Sequence, residues 1–403
     1  MRTFDKKTLY KNAHIIDPAQ GIDAIGALLV EGDTISAIGS SITVDRDTEI
    51  IDLKGYLLTP GWIDIHSHVF DTVGDFCLPA DVVGVHSGIT TVADAGTSGL
   101  LTFNAFRETV VKPSKTRVYA LLDPSLLYIA TSDFIAHRLG FATSPKNQDM
   151  ERAAAVIEEN RDIVVGFKVR PTLKSGASSS PVMDTALPLA EKYDLPIMVH
   201  LGRFPADEVL PTEVLLKLLR PGDIITHAYQ PRHGLYDAEG NLLPAAKTAI
   251  DRGVFLDVGH SGNDFSFKTA RSGLAQGILP DTISTDLNCF NIDIIGSLAL
   301  TMTKFMALGL SLTQVIERVT INPAKALRKT DEIGSLKPGL TADFTLAEQV
   351  DETAQLQDGN GGTLSVSQIL KVRGVCRAGK FSWIDQMPFD EEMEPEAVLA
   401  NSQ

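Results

Sequence analysis

The sequence predicts an α/β chain. A (β/α)8 TIM barrel spans residues 60–333, a small discontinuous β-sandwich forms from residues 1–59 and 334–385, and residues 386–403 make an acidic C-terminal tail. Three observations carry this reading. Apolar strand-like runs alternate with helical segments through the middle of the chain, the pattern of a parallel sheet with crossover helices. Short strands broken by turns fill both ends. Metal-binding residue types fall at the ends of the middle strands, where one rim of a barrel gathers its functional groups.

In the first piece, Ala27–Val30 and Thr34–Ile38 flank Glu31-Gly32-Asp33, a hairpin turn signal. Near the other end Val372–Val375 and Gly379–Trp383 read the same way. Two β-rich pieces at opposite ends pair into one domain when the ends meet in space. Between them, eight strands are placed with ends near His68, Asp94, Asp123, Lys168, His200, His227, Asp257 and Asp286. Beyond Asp286 the pattern is helical over 291–309 and over 311–320, with Ser311 as N-cap, and again from Pro323 to Arg328. The tail over 386–403 has no Lys or Arg and reads as a loose arm. Loops 171–181 and 228–244 follow strand ends, where specificity is carried.

The chain has 403 residues and a formal charge of −15, with a pI of about 5.0. This excludes a phosphate backbone as partner, which needs a basic surface. Cys77, Cys289 and Cys376 are odd in number and far apart, so they give neither a disulfide framework nor a zinc ribbon. They read as the reduced thiols of a cytoplasmic protein. Met1–Lys7 lacks the apolar stretch of a signal peptide, and no segment approaches the roughly 20 apolar residues of a membrane span. The expected partner is a small molecule, with a symmetric homo-oligomer left open.

The most informative run is Gly61–His68, which ends in His66-Ser67-His68. Alternate residues of a strand share a face, so two imidazoles stand one pleat apart. Lys168 then ends Ile163–Lys168, His200 ends Pro196–His200, His227 ends Asp223–His227 and Asp286 ends Thr282–Asp286. Neutral imidazoles suit zinc and other transition metals. One such histidine alone would read as a packed core residue; the ordered set reads as a site. A lysine in a crowded, partly apolar site has a lowered pKa and exposes a nucleophilic amine. That amine can capture carbon dioxide as a carbamate.

This set and its order over residues 60–290 resemble the amidohydrolase superfamily. Leu9–Pro18 resembles the family's opening strand and Gly334–Phe344 its closing one. The resemblance implies two divalent ions, zinc foremost, joined by a carbamate on Lys168. It makes His66, His68, Lys168, His200, His227 and Asp286 the metal ligands, with His200 and His227 on the second ion and Asp286 on the first. It also makes Asp286 catalytic: two cations acidify a shared water, and Asp286 passes its proton to the leaving group.

Dihydroorotase-like members place Arg two residues after the second His, and here that residue is Phe70. Arg170, Arg203 and Tyr229 are the candidate grips for a substrate anion, and His260 is a candidate substrate contact. Gly166–Arg170 and Asp257–His260 resemble the deacetylase-type branch near the dihydroorotases and N-acyl-D-amino-acid hydrolases. The implied reaction is removal of an acyl group, acetyl foremost, from a small carboxylate as ester or amide. Two alternatives stay open. One is a cyclic-amide hydrolase of dihydroorotase or hydantoinase type. The other is a non-catalytic binding relative, which the filled ligand positions speak against. Asp64 reads either as a residue orienting a ligand or as part of a lower barrel layer. Asp94 and Asp123 read as loop hydrogen-bonders, and His14, His86 and His137 as structural.

Overall fold

The computed structural model describes residues 6–129, 140–202, 208–232, 234–385 and 387–388. The tail expected over 386–403 therefore lies almost wholly outside the described residues. The first piece of chain gives β1 (Lys7–Asp17), β2 (Ile22–Glu31), β3 (Thr34–Gly39), β4 (Glu49–Asp52) and β5 (Leu57–Pro60). The middle gives β6 (Trp62–Ser67), β7 (Ile89–Ala95), β8 (Arg117–Leu122), β9 (Val164–Val169), β10 (Ile197–His200), β11 (Ile224–Thr226) and β12 (Phe255–Leu256). The last piece gives β13 (Phe344–Gln357), β14 (Thr363–Arg377) and β15 (Lys380–Trp383).

Both ends of the chain meet in one hydrogen-bonded sheet, ordered β15-β14-β13-β5-β1-β2-β3 with β4 beside β1. The expected turn is there: Gly32, at φ 63°, opens the two-residue link between β2 and β3. Strands β1 and β15 are four steps apart, about 19 Å in a flat sheet. Yet the Tyr10 ring lies 5.4 Å from that of Phe381. The sheet therefore folds over, and its inner face closes on Tyr10, Leu28, Leu58, Phe344 and Leu346. The β13–β14 hairpin is longer than the sequence suggested. Its outer half alternates exposed and buried positions, so half of its residues are polar and mask the strand pattern.

Strands β6 to β12 form a parallel seven-stranded sheet in strict sequence order. Helices connect them, among them Met150–Glu159, Pro181–Tyr193, Pro244–Asp251 and Phe267–Ala275. The caps follow from sequence. Asp149 accepts a bond from Arg152 N, and Pro181 and Pro244 sit in the first turns of their helices. Apolar side chains of the strands, such as Val92, Phe167, Val199 and Ile225, pack with helix residues such as Leu189, Leu216 and Phe305. No described helix is long and apolar enough to cross a membrane.

The eighth strand position is occupied differently from expectation. Residues 282–287 carry only isolated parallel bridges, Thr282 to Asp257 beyond β12 and Leu287 to Ser67 of β6. The parallel sheet is thus curled enough for one segment to reach both of its edges. The helix expected over 291–309 is also interrupted. Gly296, at φ 69°, divides Ile292–Ile295 from Leu298–Ala307. Ser311 does cap the next helix, in a capping box with Gln314.

Candidate metal centre

All six expected ligands lie at the C-terminal ends of these strands. His68 and His227 follow β6 and β11 by one residue, Lys168 lies within β9, and His200 ends β10. Asp286 stands in the eighth segment at φ 58°, and His227 at φ 61°. Asp and His tolerate this left-handed conformation better than most residues. Here it turns Asp286 toward the two histidines of the first run. Its Oδ1 lies 3.1 Å from His66 Nε2 and 3.0 Å from His68 Nε2.

Partners outside the centre fix the histidine tautomers. Thr226 donates its hydroxyl to Asp257 at 2.7 Å, so its oxygen accepts from His66 Nδ1 at 2.8 Å. His227 Nδ1 donates to the Gly259 carbonyl at 2.6 Å, and His68 Nδ1 meets the Thr97 hydroxyl at 2.8 Å. His66 and His227 then aim their Nε2 lone pairs inward, the arrangement of metal-bound histidines. His227 Nε2 faces His200 Nδ1 at 2.9 Å. Gly259 must be glycine: at φ 44°, a Cβ there would lie 2.2 Å from Thr226 Oγ1 and 2.9 Å from His66 Nδ1. Asp257 and Thr226 are functional positions that sequence reasoning did not weigh as such. Strand alternation puts Thr226 on the face opposite His227. β11 ends at Thr226, however, and the backbone reversal at His227 lets both side chains serve the centre.

Burial sets the electrostatics. It lowers His68 and His200, and holds His227 down at about 3, so these rings are neutral. Burial alone would raise Asp286, but its close contacts with His66 and His68 outweigh that and keep the carboxyl well below its usual range. Lys168 is fully buried, with Nζ 2.6 Å from His66 Nε2 and 3.5 Å from Met198 Sδ. Burial, and then the Arg170 charge, hold its amine well below the ordinary lysine range.

The donors fit a pair of transition-metal ions. Ligand atoms of His66, His68 and Asp286 lie within 4.8 Å of one another, and so do those of His200, His227 and Asp264. Lys168 stands beside both groups: its Nζ touches His66, and after burial it is among the neighbours that disfavour a proton on His200 and His227. Asp264 is a member that no motif or spacing pointed to.

The candidate substrate contacts separate. Arg170 comes to the centre. It is 8% exposed, and its Nη1 is buried without a hydrogen-bond partner among the described residues. Its guanidinium lies over the Tyr128 ring at 5.2 Å, and its charge lowers His68, His200 and Lys168. Tyr229 goes elsewhere: its hydroxyl donates to the Ile278 carbonyl at 3.0 Å and its ring packs on Phe305. The backbone reversal at His227 ends the strand alternation, so a position two beyond His227 no longer shares its face, and Ala228 and Tyr229 join the core. Arg203 and His137 lie outside the described residues. Asp64 spans two elements, accepting from His66 N at 3.1 Å and from the Thr285 hydroxyl at 2.5 Å. Burial raises Asp64 to about 7. Asp94 and Asp123 serve loops, accepting from the backbone N–H groups of Val69, Thr97 and Ser125. Phe70 is fully buried against Phe106.

His260 is also fully buried, with its ring stacked on Phe265 at 4.4 Å. Its Nδ1 donates to the Ser261 carbonyl, and its Nε2 accepts from Lys304 Nζ at 3.0 Å. Burial brings Lys304 down to about 7. The folded state then releases this proton above about pH 7, whereas the unfolded chain holds it to 10.5. Stability therefore rises with pH across that window, because the unfolded state binds more protons there. Lys304→Met removes this rise. Urea unfolding at pH 6.5 and pH 9.5 should show wild type gaining on the variant by a few kcal/mol, at about 1.4 kcal/mol per pH unit. A constant difference between the two proteins would show that Lys304 is charged in the folded state throughout.

Comparison with known proteins identifies the family. The model of the "Amidohydrolase family" matches residues 57–363. A deacetylase of Agrobacterium fabrum is 33% identical over 352 residues, covering 86% of this chain and 84% of the relative. A deacetylase of Brucella anthropi is 33% identical over 357 residues, covering 87% and 86%. A crystal structure of a dihydroorotase superposes with a TM-score of 0.82 at 29% identity, over 94% of this chain and 99% of that one. With the family model spanning most of its length and relatives alike across most of theirs, the chain belongs to the amidohydrolase family, as a hydrolase of amide or ester bonds.

Proposed function

We propose that the chain is a binuclear metal-dependent deacylase that removes an acyl group, acetyl foremost, from a small carboxylate carrying it as an ester or amide. The observation that carries this is the placing of Arg170, a buried guanidinium whose Nη1 has no hydrogen-bond partner among the described residues, beside the candidate ligands. The resemblance to two deacetylases over most of the chain supports it. The segment 282–287 is read as the eighth member of a (β/α)8 barrel. Residues 1–59 and 334–385 are read as the supporting β-domain and 60–333 as the catalytic one.

His66, His68 and Asp286 would hold one ion, and His200 and His227 the other. Zinc suits this set of imidazole and carboxylate donors. When bound, the ions would polarise the acyl carbonyl and lower the pKa of the attacking water. The neutral Lys168 amine would attack carbon dioxide through Nζ and release one N–H proton to solvent, becoming an anionic carbamate between the two groups. Its depressed pKa favours that step, since only the neutral amine has a lone pair to give. Asp286 would accept the proton of the attacking water and return it to the leaving oxygen or nitrogen. Arg170 would hold the substrate carboxylate in a charge-assisted contact. The Phe76 ring, 5.0 Å from His68 and stacked on Phe290, would keep water from that side.

Cyclic-amide hydrolysis is the second reading, favoured by the likeness to the dihydroorotase structure. Against it, Phe70 puts a buried ring where the dihydroorotase pattern has its guanidinium. A screen of O-acyl and N-acyl acids, neutral acyl esters and dihydroorotate against metal-loaded protein separates the two. Turnover of an acylated acid is expected. Hydrolysis of dihydroorotate with no action on acyl esters or amides would overturn the deacylase reading.

A further inference from the structure

A further carboxylate enters the second half of the centre. Asp264 lies in the loop between β12 and the helix Phe267–Ala275. Its oxygen and one ring nitrogen each from His200 and His227 lie within 4.8 Å of one another. Asp264 is 8% exposed, with Ser261 Oγ 3.5 Å from its Oδ2.

The loop that carries it is pinned from two sides. On one side, His260 N and Ser261 N donate to the carbonyls of Ser284 and Thr285, at 3.1 and 2.9 Å. On the other, the tip of the β13–β14 hairpin reaches over from the first sheet. Asn360 Nδ2 donates to the Asn263 carbonyl at 3.0 Å and to the Phe265 carbonyl at 2.7 Å, the two residues flanking Asp264. Asp358 accepts from Phe267 N at 2.8 Å and from Gly362 N at 2.8 Å, tying the tip to itself and to the helix start. The approach is close enough to demand glycine: a Cβ on Gly359 would lie 1.4 Å from the Gly262 carbonyl oxygen. A short side chain on a backbone held at both neighbours has little freedom, so the tip fixes where the Asp264 carboxylate points.

We propose that Asp264 is the third side-chain ligand of the ion held by His200 and His227, and that Asn360 positions it. Two imidazoles and one carboxylate are an ordinary set for a divalent transition metal with a position left open. The two halves of the centre then match, each with two histidines and one aspartate. The added negative charge strengthens the second half apart from any carbamate on Lys168. Asn360 is a positioning residue, which would explain why the hairpin extends so far beyond its own sheet.

This inference rests on the binuclear reading, and the test separates the two. Full-length protein is stripped with chelator, reloaded from zinc buffers of known free concentration and dialysed. Bound zinc is measured by elemental analysis, and the ligand field is followed by the absorption of the cobalt(II) form. Wild type should take up about two ions. Asp264→Asn should keep the tighter ion and bind the other at least ~10-fold more weakly, with a changed cobalt spectrum for that ion only. Asn360→Ala should weaken the same ion by roughly 10-fold, the lower range for losing a residue that orients a ligand. Two ions bound with wild-type affinity in Asp264→Asn overturns the assignment while leaving the binuclear reading intact. Wild type binding fewer than two ions defeats the binuclear reading, and this assignment with it. Should Asp264→Asn not fold, Asn360→Ala leaves the carboxylate in place and carries the test, with unchanged affinity as the contrary result.

Discussion

Asp286→Asn should leave a folded, metal-competent protein whose turnover is reduced by at least ~100-fold, the lower range for loss of a general acid–base group. Asparagine matches aspartate in size and tolerates the left-handed backbone that Asp286 adopts at φ 58°. The local frame is independent of the side-chain charge. Asp286 N donates to the His66 carbonyl at 2.6 Å. The Asp286 carbonyl accepts from the side-chain amides of Asn288 and Asn291, at 2.9 and 2.7 Å. What the variant loses is a basic oxygen between His66 Nε2 and His68 Nε2. Steady-state kinetics on variant protein whose metal content has been measured is the check. Near-normal turnover in a loaded sample would place the proton transfer on another group.

Arg170→Met should separate acylated acids from neutral acyl esters. Methionine keeps the length and apolar stem of the side chain, so packing on Tyr128 is largely kept while the charge goes. Truncating one partner of a buried charge pair costs about 2–5 kcal/mol. That is roughly 30- to 4,000-fold in kcat/KM, at about 1.4 kcal/mol per factor of ten. The loss should fall on substrates with a free carboxylate and be much smaller on neutral esters. An equal loss on both would give Arg170 a role in the centre's own electrostatics, since its charge also depresses Lys168 and His200.

The candidate ligands were legible because they close short apolar runs, and a parallel strand delivers the residue at its end to one rim. Arg170 was legible for a related reason, being two residues beyond Lys168 and only one past the end of β9. The groups around them were not. Thr226 and Asp257 act through hydrogen bonds across strands that neighbour only in space, and a backbone reversal at His227 breaks the alternation that would have predicted their facing. Tyr229 misled for the opposite reason, because periodicity was extended past the end of β11. Asp264 sits in a loop with no period at all, and its position depends on a hairpin tip some hundred residues further along the chain. The eighth strand expected to end at Asp286 is instead a segment that carries only isolated bridges. Its Thr282 and Ser284 hydroxyls go to Asp257, at 2.6 and 2.8 Å, and tie the segment to β12 through side chains. The hairpin's length was hidden by its half-exposed outer residues, which read as loop.

The account depends most on the centre holding two ions. Elemental analysis of protein purified without chelator and supplemented with divalent zinc tests this directly. The ligand set predicts about two transition-metal ions per chain, since the side chains present exceed what one four-coordinate ion can use. Folded protein that carries almost no metal after supplementation would contradict it.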